Sequence, residues 1–340
     1  MRVAIVGATG AVGREMVRIL EDRAFPADEL ALFSSPRSEG KRLAFRGQHV
    51  TVRALTEGSL AGIDLALFSA GSAVSREVAP AAARGGTICI DNSSAFRMDP
   101  DVPLVIPEVN PGALEGGPRL IANPNCTTIV TVMAVAPLHP VAGLEQMVVS
   151  SYQSVSGTGL RAIHELAEQI EKLHGMEEEL IRPDHDALPE GEIYGKTIAF
   201  NVLAMQGPRD EDDWSAEERK LLRESRKILG LPELEVAATV VRVPVIAGHS
   251  SSILATFSRA ISPEEARDAL AAWPGVRVVD DPERGEYPTP LDAAGIDDVL
   301  VGRIRRVPGR EDALLLFASG DNLRKGAALN AIQIAEQLVG

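Results

Sequence analysis

The sequence predicts an α/β fold in two parts: an N-terminal, doubly wound Rossmann-like domain and an α+β domain on a mixed sheet. Three observations carry the prediction. Short apolar runs alternate with helical patterns in the first third; a glycine-rich turn, Gly7-Ala8-Thr9-Gly10-Ala11-Val12-Gly13, separates the first apolar run from the first helical one; and after about residue 127 the runs lengthen. Parallel neighbours need long crossovers, which are usually helical, so the early rhythm reads as a parallel sheet covered on both faces. A chain of 340 residues accommodates two ordinary domains of roughly 100–200 residues. The expected division is 1–127, with 321–340 packing back onto it, and 128–320.

Apolar runs at 3–6, 30–33, 65–68, 87–90, 104–106 and 120–122 read as strands, and 11–23 and 73–84 as helices. Further on, 144–153, 234–243, 252–260, 299–307 and 313–318 read as longer strands, interleaved with helices at 160–173, 216–229 and 263–271. An apolar helical run covers 129–138, a final one 322–338, and 182–195 reads as a long loop.

Hydrophobic residues make up 45% of the chain and charged ones 24%, enough to bury a core without disulfide staples. The formal net charge of −14 argues against a nucleic-acid or anionic-membrane surface. No apolar run approaches the roughly 18 residues of a membrane span, and the start of the chain lacks a signal-peptide core, so a cytoplasmic protein is expected. The acidic clusters at 177–179 and 210–213 read as solvated surface. His164-Glu165 lacks the second histidine of a zinc-protease helix, and Asp184-His185-Asp186 reads as loop, so no metal site is expected.

The turn from Gly7 to Gly13 stands where backbone amides and a helix N-terminus meet a pyrophosphate, although its spacing is G-x-x-G-x-x-G rather than G-x-G-x-x-G. Where an acid would hold the adenosine ribose of NAD, the second strand runs instead into Ser34-Ser35-Pro36-Arg37-Ser38. Arg37 between hydroxyls suits a 2′-phosphate, so the expected cofactor is NADP.

Of the two cysteines, Cys89 lies inside an apolar strand and reads as a small core residue. Cys126, in Asn123-Pro124-Asn125-Cys126-Thr127-Thr128, stands just before an apolar helix. A helix N-terminus favours thiolate, which makes Cys126 the expected nucleophile. A cysteine nucleophile needs a nearby base, and of the six histidines His249 stands out, at a turn between two strands with Arg242 seven residues earlier.

With Asp91-Asn92-Ser93-Ser94-Ala95-Phe96-Arg97, Tyr152-Gln153-Ser154-Val155-Ser156-Gly157 and Gly320-Asp321-Asn322-Leu323-Arg324-Lys325-Gly326-Ala327-Ala328, these motifs resemble the aspartate-semialdehyde dehydrogenase family along essentially the whole chain. The resemblance implies NADPH-dependent reductive dephosphorylation of aspartyl β-phosphate to aspartate β-semialdehyde, through a thioester on Cys126 with His249 as acid/base. It also implies an orienting role for Gln153, the substrate carboxylate on Arg242, the amino group on Glu217, and phosphate on Arg97 and Lys220. Glu218 and Arg219 are the neighbouring alternatives on that helix. Gly7, Thr9, Gly10, Ala11, Val12, Gly13, Ser34, Arg37 and Ser38 are the expected cofactor residues, with Ser156 and Gly157 near the nicotinamide. Asn322 reads equally as a cofactor contact or as an N-cap. A homodimer through the second domain is also implied. The rival readings are an N-acetyl-glutamyl-phosphate reductase and a non-catalytic NADP-binding paralogue; a glyceraldehyde-phosphate dehydrogenase fits the motifs less well.

Overall fold

The computed structural model describes all residues except 183, 185, 187, 205, 206 and 340; His185 and its expected loop role lie outside the described residues. The first sheet has seven strands in the order β3-β4-β2-β1-β5-β6-β7. These are β1 (Arg2–Val6), β2 (Glu29–Ser34), β3 (Arg42–Phe45), β4 (Gln48–Ala54), β5 (Leu65–Phe68), β6 (Ile88–Asp91) and β7 (Leu120–Ala122). All pair in parallel except β3, which runs antiparallel to β4. Helices α1 (Ala11–Asp22) and α2 (Ser72–Arg84) supply the crossovers after β1 and β5.

Alternation along the strands sorts the core into two layers. Val3, Ile5, Leu32, Leu65 and Leu67 pack with Met16 and Leu20 of α1 and with Leu329, Ile332 and Ile334 of the C-terminal helix α9 (Leu329–Val339). Ala4, Val6, Ala31, Phe33, Ala66, Phe68 and the fully buried Cys89 face the opposite layer, with Ala79 of α2. Strand order reverses on either side of β1, and the crevice at the carboxyl ends of β1 and β5 is where such sheets bind ligands.

The second sheet has six strands in the order β11-β12-β13-β10-β8-β9. They are β8 (Leu144–Gln153), β9 (Glu235–Arg242), β10 (His249–Phe257), β11 (Val276–Val278), β12 (Val299–Arg306) and β13 (Ala313–Gly320). The sheet is mixed: β8–β9 and β11–β12 are parallel and the remaining pairs antiparallel. On one face lies α3 (Cys126–Val135), whose residues after Cys126 are all buried, as expected of a helix apolar on every side. The other helices of this part are α4 (His139–Ala142), α5 (Leu160–Leu173), α6 (Ala216–Leu229), α7 (Pro263–Ala271) and α8 (Pro290–Ala293).

Three local expectations are corrected. The run 104–106 is not a strand; only Leu104 bridges, to Ala122, because pairing stops after Val105 N–H donates to the Ala122 carbonyl: Ile106 N–H turns to Asn110 Oδ1 and Pro107 has no N–H to give. The β3–β4 hairpin, unanticipated, turns on Arg46 and Gly47, both at positive φ (49° and 74°), the geometry of a two-residue hairpin loop. The last helical run opens with a π-helical turn, Arg324–Ala328, before α9.

Candidate active site

Each reactive side chain stands at the end of an element. Cys126 is the first residue of α3, and Asn125 caps that helix, its Oδ1 accepting from Thr127 N–H (3.0 Å) and Thr128 N–H (3.4 Å). His249 opens β10 and is 1% exposed. Gly248 before it has φ +86°, and a Cβ there would lie 2.5 Å from the Pro290 carbonyl oxygen, so only glycine lets the chain enter β10 at this angle. The result is a contact of 3.2 Å between Cys126 Sγ and His249 Nε2.

The other ring nitrogen is held from behind. Ser154 N–H donates to His249 Nδ1 at 3.1 Å, and Ser154 Oγ lies 3.1 Å from the same atom and donates to Asn322 Oδ1 at 2.9 Å. A backbone N–H can only donate, so the neutral ring carries its proton on Nε2, facing the sulfur. Asn322 also accepts from Gly248 N–H (2.9 Å) and donates to Ser156 Oγ (2.9 Å). The N-cap role belongs to Asp321, whose Oδ1 accepts from Leu323 and Arg324 N–H.

Parallel register sets Gln153, at the end of β8, beside Arg242, at the end of β9. Gln153 Nε2 donates to Thr127 Oγ1, and Arg242 donates to the Ser154 carbonyl and lies 5.7 Å over the Tyr194 ring. A Cβ on Gly157 would sit 3.2 Å from both Arg242 Nη1 and His249 Nε2, so glycine at 157 is what lets the two approach this turn.

Helix α6 presents Glu217 and Lys220 to the same cleft, paired with each other, and Glu217 accepts from Asn125 Nδ2 at 3.0 Å. Their neighbours are occupied elsewhere: Glu218 forms the capping box with Ser215, and Arg219 pairs with Asp210 and Asp212 over Trp214. Arg97 donates to Asn123 O (2.9 Å), Asn92 O (2.7 Å) and Glu224 Oε1 (3.1 Å). Together Cys126, Gln153, Arg97, Glu217, Lys220, Arg242, His249, Ser156, Gly157 and Asn322 line one cleft of about 530 Å³.

The electrostatics correct one expectation. Burial pushes the Cys126 thiol up, Glu217 adds to the rise, and Arg242, Arg97 and Lys220 oppose it without prevailing. The direction is therefore toward the thiol, because desolvation of the charged form outweighs the three cations. Burial, followed by the Arg242 charge, holds His249 well below the usual histidine range, so the pair is thiol and neutral imidazole. For Glu217, burial acts upward, but Lys220 and the Asn125 amide outweigh it and keep it below the usual carboxylate range.

An adjoining cleft of about 1000 Å³ runs over the carboxyl ends of β1 and β5, sharing Ser69 with the first. Gly7 (φ +96°) lies so close to Ser69 that a Cβ would meet its carbonyl oxygen at 2.4 Å, and a Cβ on Gly13 would meet the Gly7 oxygen at 2.3 Å. Gly7, Thr9, Gly10 and Ser34 line this cleft, and Val12 lines the other. Ala11 opens α1, Gly13 is the packing glycine beneath the turn, and neither lines a cleft. Thr9 Oγ1 meets Ser34 Oγ at 2.9 Å and Ser38 Oγ at 3.2 Å, while Arg37 is exposed on the turn Pro36–Ser38. The glycine cradle, the hydroxyl cluster and the absence of an acid at the end of β2 fit a dinucleotide bearing a 2′-phosphate.

Sequence reasoning missed Ser154, Thr127 and Glu224. Only Glu224 left a trace, seven residues after Glu217 and so on the same helix face. Among the described residues no cluster of three or more His, Cys, Asp or Glu side chains is placed to hold a metal, and no helix is long and apolar enough to cross a membrane.

The model of the semialdehyde dehydrogenase NAD binding domain matches residues 2–116, and that of the semialdehyde dehydrogenase dimerisation domain matches 135–325. The chain is 50% identical over 342 residues to the aspartate-semialdehyde dehydrogenase of Aquifex aeolicus (strain VF5), covering 99% of this chain and 98% of the relative. To that of Bacillus subtilis (strain 168) it is 45% identical over 340 residues, covering 99% and 97%. The crystal structure of aspartate semialdehyde dehydrogenase II complexed with ASA from Vibrio cholerae superposes with a TM-score of 0.92 at 41% identity, covering 99% of this chain and 98% of that one.

Proposed function

This chain belongs to the semialdehyde dehydrogenase family, and from that premise we propose which of its residues carry out each part of the reaction. The activity is the NADPH-dependent reductive dephosphorylation of L-aspartyl 4-phosphate to L-aspartate 4-semialdehyde, on the route to lysine, methionine, threonine and isoleucine. The carrying observation is the 3.2 Å contact between Cys126 Sγ and His249 Nε2 in a cleft lined by three cationic side chains.

Cys126 Sγ bonds to the acyl carbon while its proton passes to the departing phosphate, which leaves with the C–O electron pair, giving a thioester. Sulfur suits the task because a thioester carbonyl is more electrophilic than an ester and a hemithioacetal expels thiolate readily. NADPH, when bound, supplies the hydride. His249 offers its Nε2 proton to the oxygen as the hemithioacetal forms and takes it back as that species collapses. Gln153, held by Thr127, orients the reacting group. Arg242 takes the α-carboxylate with its planar fork, Glu217 the ammonium, and Arg97 with Lys220 the phosphate. Gly7 to Gly13 cradle the pyrophosphate, Arg37 with Ser34 and Ser38 takes the 2′-phosphate, and Ser156, Gly157 and Asn322 border the nicotinamide end.

We assign 1–127 with 321–340 to cofactor binding and 128–320 to catalysis and pairing of subunits. The exposed face of the second sheet carries Val148 (43% exposed) and Tyr152 (38% exposed), and we assign that face to a homodimer. Light scattering reads it: twice 36.2 kDa is expected, and a monomer refutes it. A catalytic thiol suits the reducing cytoplasm.

The reading is tested with Cys126→Ala, which should abolish turnover and leave NADP binding within about twofold. Turnover that survives refutes the mechanism, and lost NADP binding refutes the separation of the two clefts. Glu217 needs a free ammonium, so phosphate-dependent NADP reduction should occur with aspartate semialdehyde and not with N-acetyl-glutamate semialdehyde.

A further inference from the structure

Helix α6 carries a stripe of alternating charge, Glu217, Lys220, Glu224 and Lys227, spaced three, four and three residues apart and so on one face. The first two enter the reaction as proposed above. The other two turn to the segment that bears Arg97. Lys227 Nζ donates to the main-chain oxygens of Arg97 (3.0 Å), Asp99 (2.7 Å) and Val102 (2.8 Å). Glu224 is 1% exposed and divides its carboxylate between two parts of the site: Oε1 takes Arg97 Nη1 at 3.1 Å, and Oε2 takes the N–H of Asn125 at 2.7 Å, one residue before the nucleophile.

A buried carboxylate is costly unless its charge and lone pairs are met. Both are met here by groups of the active site and not by the scaffold, so the carboxylate fixes those groups relative to each other. A guanidinium has five N–H donors. Asn123 O, Asn92 O and Glu224 take three, from Nε, Nη2 and Nη1. Two donors are left for an anion in the cleft, and the three anchors set their direction.

We propose that Glu224 is a positioning residue for phosphate: it locks the Arg97 fork and the main chain leading to Cys126 into one frame, with Lys227 bracing the Arg97 loop. The inference rests on the reading of Arg97 as a phosphate ligand, so Arg97→Ala is measured alongside.

The assay is the oxidative direction, where inorganic phosphate is a separate substrate with its own KM. Glu224→Gln keeps the shape, but its amide nitrogen must face a donor, either Arg97 or Asn125 N–H. Losing one charge-assisted bond is worth about tenfold. The expected result is a KM for phosphate raised about tenfold, with the KM values for aspartate semialdehyde and NADP unchanged within about twofold. Should Glu224→Gln not fold, Lys227→Met reads the same proposal, with a phosphate KM raised about threefold by release of the loop carbonyls. If Arg97→Ala leaves the phosphate KM unchanged, the reading of Arg97 is wrong. If Arg97→Ala raises it and the α6 variant does not, or raises all three KM values alike, this inference is overturned and the reading of Arg97 stands.

Discussion

The titration of Cys126 gives the most direct check of the site's electrostatics. An ordinary thiol with a pKa of roughly 8.5 is about 3% thiolate at pH 7. Burial and Glu217 push Cys126 above its ordinary value, so its thiolate fraction at pH 7 lies below that level. The second thiol is silent: Cys89 is fully buried and pushed up to about 12. Alkylation of the resting protein by iodoacetamide, followed by mass spectrometry of the Cys126 peptide, therefore reads one group. Below its pKa, thiolate rises about tenfold per pH unit, so the rate should climb at that slope from pH 7 and show no plateau by about pH 8.5. The sign of each neighbour is testable in the same assay. Glu217→Gln removes the carboxylate that repels the thiolate and should speed alkylation at pH 7.5 while turnover falls; Arg242→Gln removes an attracting cation and should slow it. A plateau reached below pH 7 would mean a preformed thiolate–imidazolium pair and would refute the argument that burial outweighs the helix terminus and the three cations.

Three further outcomes follow from the geometry. Asn125→Ala removes the cap of α3 and should cost about 1–2 kcal/mol of stability by denaturant titration; an unchanged midpoint counts against the capping role. Gly157→Ala places a Cβ 3.2 Å from His249 Nε2 and Arg242 Nη1, and kcat should fall by about tenfold or more with the circular dichroism spectrum unaltered; wild-type kcat would show that the turn yields freely. Arg37→Glu sets an anion against the 2′-phosphate and should weaken NADP far more than NAD in a binding titration, whereas equal losses would remove Arg37 from the pocket.

Most of the fold was legible because its elements are strongly periodic: 144–153, 160–173, 216–229 and 263–271 fall where the apolar pattern sets them. The unread hairpin, Arg42–Phe45 with Gln48–Ala54, exposes much of its surface and alternates weakly, so only its Arg46-Gly47 turn could have marked it. In the site, the contact between Cys126 and His249, the proposed nucleophile and acid/base, was legible because each stands at a junction where polar residues interrupt an apolar run. What a linear sequence does not carry is burial. Cys126 at a helix N-terminus reads as an activated thiol, and in the folded cleft the loss of solvent reverses that sign. Ser154 likewise had no signal, because its part is played by a main-chain N–H, which every non-proline residue possesses.

The net charge of −14 and a cleft for anionic ligands are reconciled in how the cations are kept. Lys220 is paired with Glu217, and Arg97 with Glu224. These two pairs serve differently. Arg97–Glu224 is nearly solvent-free, with side chains 8% and 2% exposed, and breaking it would strand a buried charge, which suits the phosphate frame proposed for it. Lys220–Glu217 is more open, at 28% and 21%, and joins two groups assigned to opposite charges of the same substrate. An aspartyl phosphate brings an ammonium for Glu217 and a phosphate for Lys220, so the pair can part without either charge losing a partner. An N-acetylated substrate offers Glu217 no cation, and opening the pair then leaves a largely buried carboxylate without its paired ammonium. On the proposed assignments of Glu217 and Lys220, the resting ion pair would act as a filter for the free amino group, its cost falling on the wrong substrate alone.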